Sequence, residues 1–515
     1  MKIQFIKSFA LSTMALATTI LFSSSCANAQ KKNANQSSIS QKAPKYIFYF
    51  IGDGMSSPQI NMAEKAVTEE GFLDIFNSLT ANKYNLQPGK LNVRQFTAAG
   101  MANTNARNRY ITCSAAAATA LATGNKTDIN RVSMNGEATA PFKTVAEMAR
   151  DNGMKVGIIS SVSVDHATPA CFYAHVADRN SYSQIDSFLL ESNYDFFGGG
   201  FVRWDVKNHI GLDAYKKAIK DKGYKFVNSK AAFQALKPSD GKVIATIERN
   251  STIGSNPDDS ALPYNIDLGL QKTENDQIVL AEFVEKAIEM LYNDKKGFFI
   301  MTEGGKIDWA DHANDAVSNV YETIALDRAI GVALEFYKKH PDETLIVLTG
   351  DHECGGLTLG FAGTGYESAF KFMKNQKISY YSFSDSVKVY SKQKQSFDFV
   401  LDKVQNYFGL GNKEIGLGLS DFEQKRLKTA YELAFERNLN NMSFQELKLY
   451  YGTYEPVTVT VTHILDNKAG VDWASFSHTA LPVPVFAIGV GAEVFNGYYD
   501  NTDIPKRIMQ LAQFK

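Results

Sequence analysis

The sequence predicts an α/β fold: a mostly parallel central β-sheet with helices on both faces, carrying a mainly helical insertion. Three observations predict it. Tyr46–Ile51, Val156–Ser160, Phe298–Met301 and Leu345–Leu348 are short runs that stay apolar without alternation, as strands covered on both faces do. Helical patterns such as Phe142–Asp151 and Asp276–Tyr292 lie between the runs, the order expected when parallel strands are joined by helical crossovers. From about residue 361 to 451 the texture changes to that of a mainly helical insertion.

The chain opens on a targeting segment. Lys2 and Lys7 precede an apolar stretch from Phe9 to Phe22, and Ala27-Asn28-Ala29 before Gln30 reads as a cleavage site, so residues 1–29 are expected to be a signal peptide. The apolar stretch is too short to span a membrane comfortably, and no transmembrane span is expected in the mature protein. Export to the periplasm or medium follows. Cys26, which comes after small residues, leaves open attachment of a lipid anchor at that residue instead. Residues 30–43 are polar and read as a flexible leader, and 44–515 as the catalytic domain.

Within that domain, chemistry-bearing residues follow each predicted strand. Ile51 leads to Gly52-Asp53-Gly54, Ser160 to Asp165-His166, Met301 to Thr302-Glu303-Gly304-Gly305, and Leu348 to Thr349-Gly350-Asp351-His352. In open α/β sheets ligands bind outside the carboxyl ends of the strands, so these segments converge on one edge. In the insertion, Ser396–Tyr407 reads as a helix stopped by Gly409. Ser420 with Glu423 and Ser443 with Glu446 are capping-box pairs that start two more, the first running to about Arg437.

Lys+Arg total 54 and Asp+Glu total 55, a balance that gives no reason to expect nucleic acid as a dedicated partner. Once Cys26 is removed or lipidated, Cys113, Cys171 and Cys354 remain. There is no C-x-x-C pair, so a cysteine-based zinc site is not expected. Cys113 and Cys354 both adjoin site segments, and their disulfide state is open.

Asp308 and His312 are four apart and share one face of a helix, a carboxylate and an imidazole suited to zinc. Asp351-His352 after a strand and Asp53 between glycines are ordinary turn chemistry when taken singly. Ser114 begins an Ala-rich helix ending at Gly124. Such a serine is commonly a plain N-cap, but its oxygen also stands where the helix dipole and free N–H groups favour a phosphate. Arg179 could hold two phosphate oxygens in its fork, or form a surface ion pair.

Together these segments resemble the alkaline phosphatases from about Tyr46 to Ala492. The resemblance is carried by Gly52-Asp53-Gly54-Met55, the Ser-Ala-Ala-x-Ala-Thr-Ala-x-Ala-Thr-Gly run from Ser114, and His166-Ala167-Thr168-Pro169-Ala170. It continues through Tyr173-Ala174-His175 to Arg179-Asn180, Glu303-Gly304-Gly305-Lys306-Ile307-Asp308, Asp351-His352 and Ser477-His478-Thr479. It implies hydrolysis of small phosphomonoesters through a phosphoserine on Ser114, with Arg179 on the phosphate oxygens. It implies a first Zn2+ on Asp308, His312 and His478, and a second Zn2+ on Asp53, Asp351 and His352. A third ion, usually Mg2+, is implied on Asp53, Thr168 and Glu303, and so is a homodimer.

Three departures stand out. Cys113 occupies a position where many members have Asp, so Arg179 is expected to be less constrained. His166 and Trp309 stand where some members have Asp and Lys, so His166 is either a ligand of the third ion or a neighbour of it, and the identity of that ion stays open. The third departure is the 361–451 insertion. The segment from Cys113 lacks the Pro and Arg that a sulfatase needs, which argues against that activity. The alternatives are a phosphodiesterase or other hydrolase of the wider superfamily, against which Ser114 with Thr168 and Glu303 argues because phosphodiesterases commonly have Thr as nucleophile and lack the third ion's ligands, and a non-catalytic metal-dependent surface protein, against which the presence of every expected ligand argues. His209, His340 and His463 have no motif, and His175 is expected near the site without binding metal.

Overall fold

The computed structural model describes residues 42–69, 72, 89–202, 212–247, 260–270, 277–292, 295–435 and 442–515. The predicted signal peptide, the leader up to residue 41, Cys26 and His209 lie outside the described residues.

Fourteen strands are described: β1 (Tyr46–Gly52), β2 (Ala98–Asn103), β3 (Lys155–Ser163), β4 (Phe196–Gly200), β5 (Tyr224–Val227), β6 (Lys242–Thr246), β7 (Phe298–Gly304), β8 (Thr344–Gly350), β9 (Glu353–Cys354), β10 (Leu357–Thr358), β11 (Asp472–Trp473), β12 (His478–Thr479), β13 (Val483–Gly489) and β14 (Gly497–Asp500). Ten of them form one sheet in the order β14-β2-β13-β8-β1-β7-β3-β4-β6-β5. Neighbours run parallel except at β13, which is antiparallel to both β8 and β2.

The four apolar runs of the sequence are the central strands β8, β1, β7 and β3. β1 shows why they lack alternation. Tyr46, Phe48 and Phe50 enter the core on one face, which also takes in the helices Leu280–Leu291 and Ala316–Lys339. Ile47, Tyr49 and Ile51 enter the core on the other, with the helices Ser114–Thr123, Val145–Asp151 and Asp503–Ala512. Each fully buried large apolar side chain contributes about 1.5–3 kcal/mol, and β1 exposes none. The flanking strands are the ones the apolar pattern misses. β2 is Ala- and Gly-rich, β4 ends in three glycines, and β13 contains Pro484 beside its hydrogen-bonded partners.

In the insertion the helices are Tyr380–Lys392, Phe397–Phe408, Asp421–Phe435 and Phe444–Tyr451. Ser396 caps the second and left-handed Gly409 ends it, as the sequence indicates. Ser420 and Glu423 bond reciprocally, as do Ser443 and Glu446, which closes both capping boxes. Phe383, Val400 and Leu427 of the insertion belong to the same apolar cluster as Phe48 and Phe336, so the insertion extends one face of the core. Among the described residues no helix is long and apolar enough to cross a membrane.

Candidate active site

Strand register builds the site. Gly52 of β1 stands level with Gly304 of β7 and Gly350 of β8, so the three strands end together. The residues at and just beyond these ends therefore meet: Asp53, Glu303, Asp351 and His352. Gly54 takes φ 72°, and a Cβ there would lie 2.8 Å from Cα of Asp308, so its bare backbone lets the helix Lys306–His312 approach. That helix presents Asp308 and His312 one turn apart. The two-stranded pairing of β9 with β12 brings His478 across from the far end of the chain.

The imidazoles are oriented from behind. His312 Nδ1 stands 2.8 Å from the Phe476 carbonyl oxygen and His478 Nδ1 2.9 Å from that of Thr112. A carbonyl only accepts, so each Nδ1 carries the proton and each Nε2 turns a lone pair inward. Those Nε2 atoms face each other at 3.1 Å, with Asp308 oxygens 3.5 Å from His312 and 3.4 Å from His478. Two lone pairs and a carboxylate pointing at one place suit a cation and do not satisfy one another. His352 Nε2 likewise stands 3.3 Å from both Asp53 Oδ1 and Asp351 Oδ2.

Three groups of donor atoms result, each within 4.8 Å of one another: Asp308, His312, Cys354 and His478; Asp53, Asp351 and His352; and Asp53, His166 and Glu303. Asp53 belongs to two of them. Both oxygens of Asp53, Oε1 of Glu303, Oδ1 of Asp308 and Oδ2 of Asp351 are buried and make no hydrogen bond to the described residues. Buried polar atoms are seldom left so, and here five carboxylate oxygens share one locus. Burial, then Asp351, Asp308 and Glu303, push Asp53 well above the usual carboxylate range. Burial pushes Glu303 to about 8, against the Ser160 and Thr168 hydroxyls, and Asp351 to about 7. Burial would also raise Asp308, but His312 and His478 hold it well below its ordinary value. Packing so many acidic groups without counter-charge is costly. The donor set therefore fits divalent cations: each group combines carboxylate oxygen with imidazole nitrogen, a mixture zinc accepts, and the two groups that share Asp53 carry two carboxylates each.

Ser114 is the first residue of the helix Ser114–Thr123, every residue of which is buried. Its Oγ lies 3.5 Å from His352 Nε2. The Cys113 side chain makes no cap, so it leaves the first-turn N–H groups uncapped. Its sulfur instead accepts from Asn130 N at 3.3 Å, and the Asn130 carbonyl accepts from Arg179 N at 2.9 Å. Arg179 is half-buried, and its Nη2 lies 3.1 Å from His166 Nε2. The guanidinium thus has an imidazole partner where the resemblance implies a carboxylate at position 113. Thr168 is the second residue of the short helix Ala167–Ala170, which follows His166, and Trp309 meets the His166 ring edge to face at 5.9 Å.

All eleven predicted site residues are accordingly at this edge of the sheet. His175 bonds Ser133 O and Glu147, His463 bonds Asn314 and stacks on Phe476, and His340 packs on Phe336 and Tyr46, so none of these joins a donor group. Cys113, Cys171 and Cys354 are free thiols. Sequence reasoning misses the scaffold beneath the site. Gln59 Nε2 donates to Asp311, Glu353 and the Cys354 carbonyl at 3.1–3.2 Å, which ties the elements carrying His312 and His352 together. Its signal is the Ser56-x-x-Gln59 capping box; the long-range partners have none. Ser160, bonded to Glu303 Oε2, reads in the sequence only as the end of a strand.

The family model described as alkaline phosphatase matches residues 44–196 and 211–514. The chain is 27% identical to alkaline phosphatase 3 of Bacillus subtilis over 97% of this chain and 96% of that protein. It is 29% identical to the alkaline phosphatase of Escherichia coli over 62% of this chain and 72% of that one. The crystal structure of a cold-active alkaline phosphatase from Shewanella sp. superposes with a TM-score of 0.71 at 25% identity, over 91% of this chain and 99% of that chain.

Proposed function

The chain belongs to the alkaline phosphatase family, whose members are phosphomonoesterases, and we propose that it hydrolyses phosphate monoesters through a covalent phosphoserine on Ser114. One observation carries this reading. A serine hydroxyl stands at the N-terminus of a buried helix, 3.5 Å from His352 Nε2 in a group of cation donors, in a site whose guanidinium comes from Arg179.

Asp308, His312 and His478 would hold one zinc ion, and Asp53, Asp351 and His352 a second. Asp53, Thr168 and Glu303 would hold a third ion, magnesium, with His166 beside it. When bound, these cations supply positive charge to the oxygens of the transferring phosphoryl group and its attacking and leaving partners. The side chains do the rest. Arg179 holds two non-bridging oxygens in its fork, and the open N–H groups of the helix face the same charge. The Ser114 oxygen attacks phosphorus and the alcohol departs. Water then takes the phosphoryl group, which releases inorganic phosphate and restores Ser114. His166 steadies the guanidinium. Because phosphoryl transfer is mainly positioning and charge stabilisation, and these groups all address the phosphate, broad specificity toward the alcohol follows. The same family membership leads us to propose a homodimer, and residues 1–29 an exported protein.

The test is hydrolysis of p-nitrophenyl phosphate beside Ser114→Ala, with and without a chelator. Activity lost on chelation, restored by zinc plus magnesium and nearly absent in the variant supports the reading. Full activity in the variant removes Ser114 as nucleophile.

A further inference from the structure

We propose that Cys354 is a fourth protein ligand of the cation held by Asp308, His312 and His478, making that site a sulfur-containing one. The inference rests on the metal-site reading above and extends it to a residue to which the resemblance assigns no role.

Strand pairing supplies the first reason. Cys354 of β9 is the direct cross-strand partner of His478 of β12, and Glu353 that of Thr479. Directly opposed side chains in an antiparallel pair lie on the same face, with Cβ atoms roughly 4.5–5.5 Å apart. Successive residues alternate faces. The Glu353–Thr479 pair closes on itself through a hydrogen bond between their side chains, on the face away from the donors. Cys354 must therefore accompany His478 into the site. Distance supplies the second reason: its sulfur lies within 4.8 Å of the donor atoms of Asp308, His312 and His478 together. Cys354 is fully buried.

Chemistry supplies the third. Asp, two His and Cys form a four-donor set of the kind zinc accepts, and sulfur biases it toward zinc, cadmium or cobalt over magnesium. The absence of any C-x-x-C pair hides this site from the sequence, since Cys354 and His478 come from segments distant from each other and from the helix that carries Asp308 and His312. A fourth protein donor still leaves catalysis open, because zinc can expand to five-coordination.

X-ray absorption at the zinc edge of the purified wild-type holoenzyme tests this directly. The expected result is a sulfur shell at about 2.3 Å beside nitrogen and oxygen at about 2.0–2.2 Å, lost in Cys354→Ala and in Cys354→Thr. With cobalt(II) in place of zinc, a thiolate-to-cobalt charge-transfer band is expected in the wild type and absent from both variants. Bound zinc with only nitrogen and oxygen neighbours, or a sulfur shell that persists in both variants, overturns the proposal and leaves the metal centre standing. A protein that retains no zinc overturns both.

Discussion

Gly350 tests whether the ends of β1 and β8 position the site. It precedes Asp351-His352, and a Cβ at this residue would lie 1.9 Å from the Met55 carbonyl oxygen and 3.3 Å from Cγ1 of Val483. Contacts under 3.0 Å are essentially never seen, so Gly350→Ala must part the β8 end from the loop after β1 by about 1.1 Å. Both are main chain, and neither can swing away as a side-chain tip would. The shift separates Asp351 and His352 from Asp53, members of one donor group. A misplacement of about 1 Å costs roughly 100-fold in rate, and overpacking of this kind costs about 1–3 kcal/mol of stability. The expected outcome is a fall of about 100-fold in kcat/KM for p-nitrophenyl phosphate with a lowered Tm. Activity within threefold of wild type at unchanged Tm refutes the positioning argument.

Cys113→Asp should give Arg179 a carboxylate partner and tighten inhibition by inorganic phosphate roughly tenfold, the scale of one charge-assisted bond; unchanged inhibition counts against it. Chelation should turn the acidic cluster into a liability. Glu303 at about 8 and Asp351 at about 7 in the fold bind protons that the unfolded chain releases near 4. The chelated protein should therefore lose stability as pH rises from about 4 to 8, while the zinc- and magnesium-loaded protein does not; parallel Tm profiles would contradict this. His463 is the opposite case: burial holds it at about 4, below its unfolded value near 6.5. Stability should fall by about 3 kcal/mol as pH drops from 6.5 to 4, and His463→Gln should remove that part of the acid dependence in urea titrations.

Much of the molecule is legible in the chain. Buried parallel strands announce themselves by unbroken apolar runs, and Asp53, Glu303 and Asp351-His352 follow such runs, so the sheet edge that carries them follows from the amino-acid order alone. The helix start at Ser114 and its stop at Gly124 are equally local. What stays hidden depends on pairing between remote segments. The Ala-rich β2 and the Gly-ended β4 are strands because their neighbours are. Gln59 reads as a cap until Asp311 and Glu353 are seen beside it. Cys354 reads as an isolated thiol until β12 lays His478 opposite it. Arg179 lacks the carboxylate the resemblance implies at position 113, and its pairing with His166 emerges only once the loops are folded.

The most direct test of the central claim is to mix the metal-loaded enzyme with a phosphomonoester, quench in acid, and map the phosphoryl group by peptide mass spectrometry. The expected result is one phosphorylated peptide, modified at Ser114, which disappears in Ser114→Ala along with turnover. Phosphate on another residue, or full turnover in Ser114→Ala with no phosphopeptide, would contradict it.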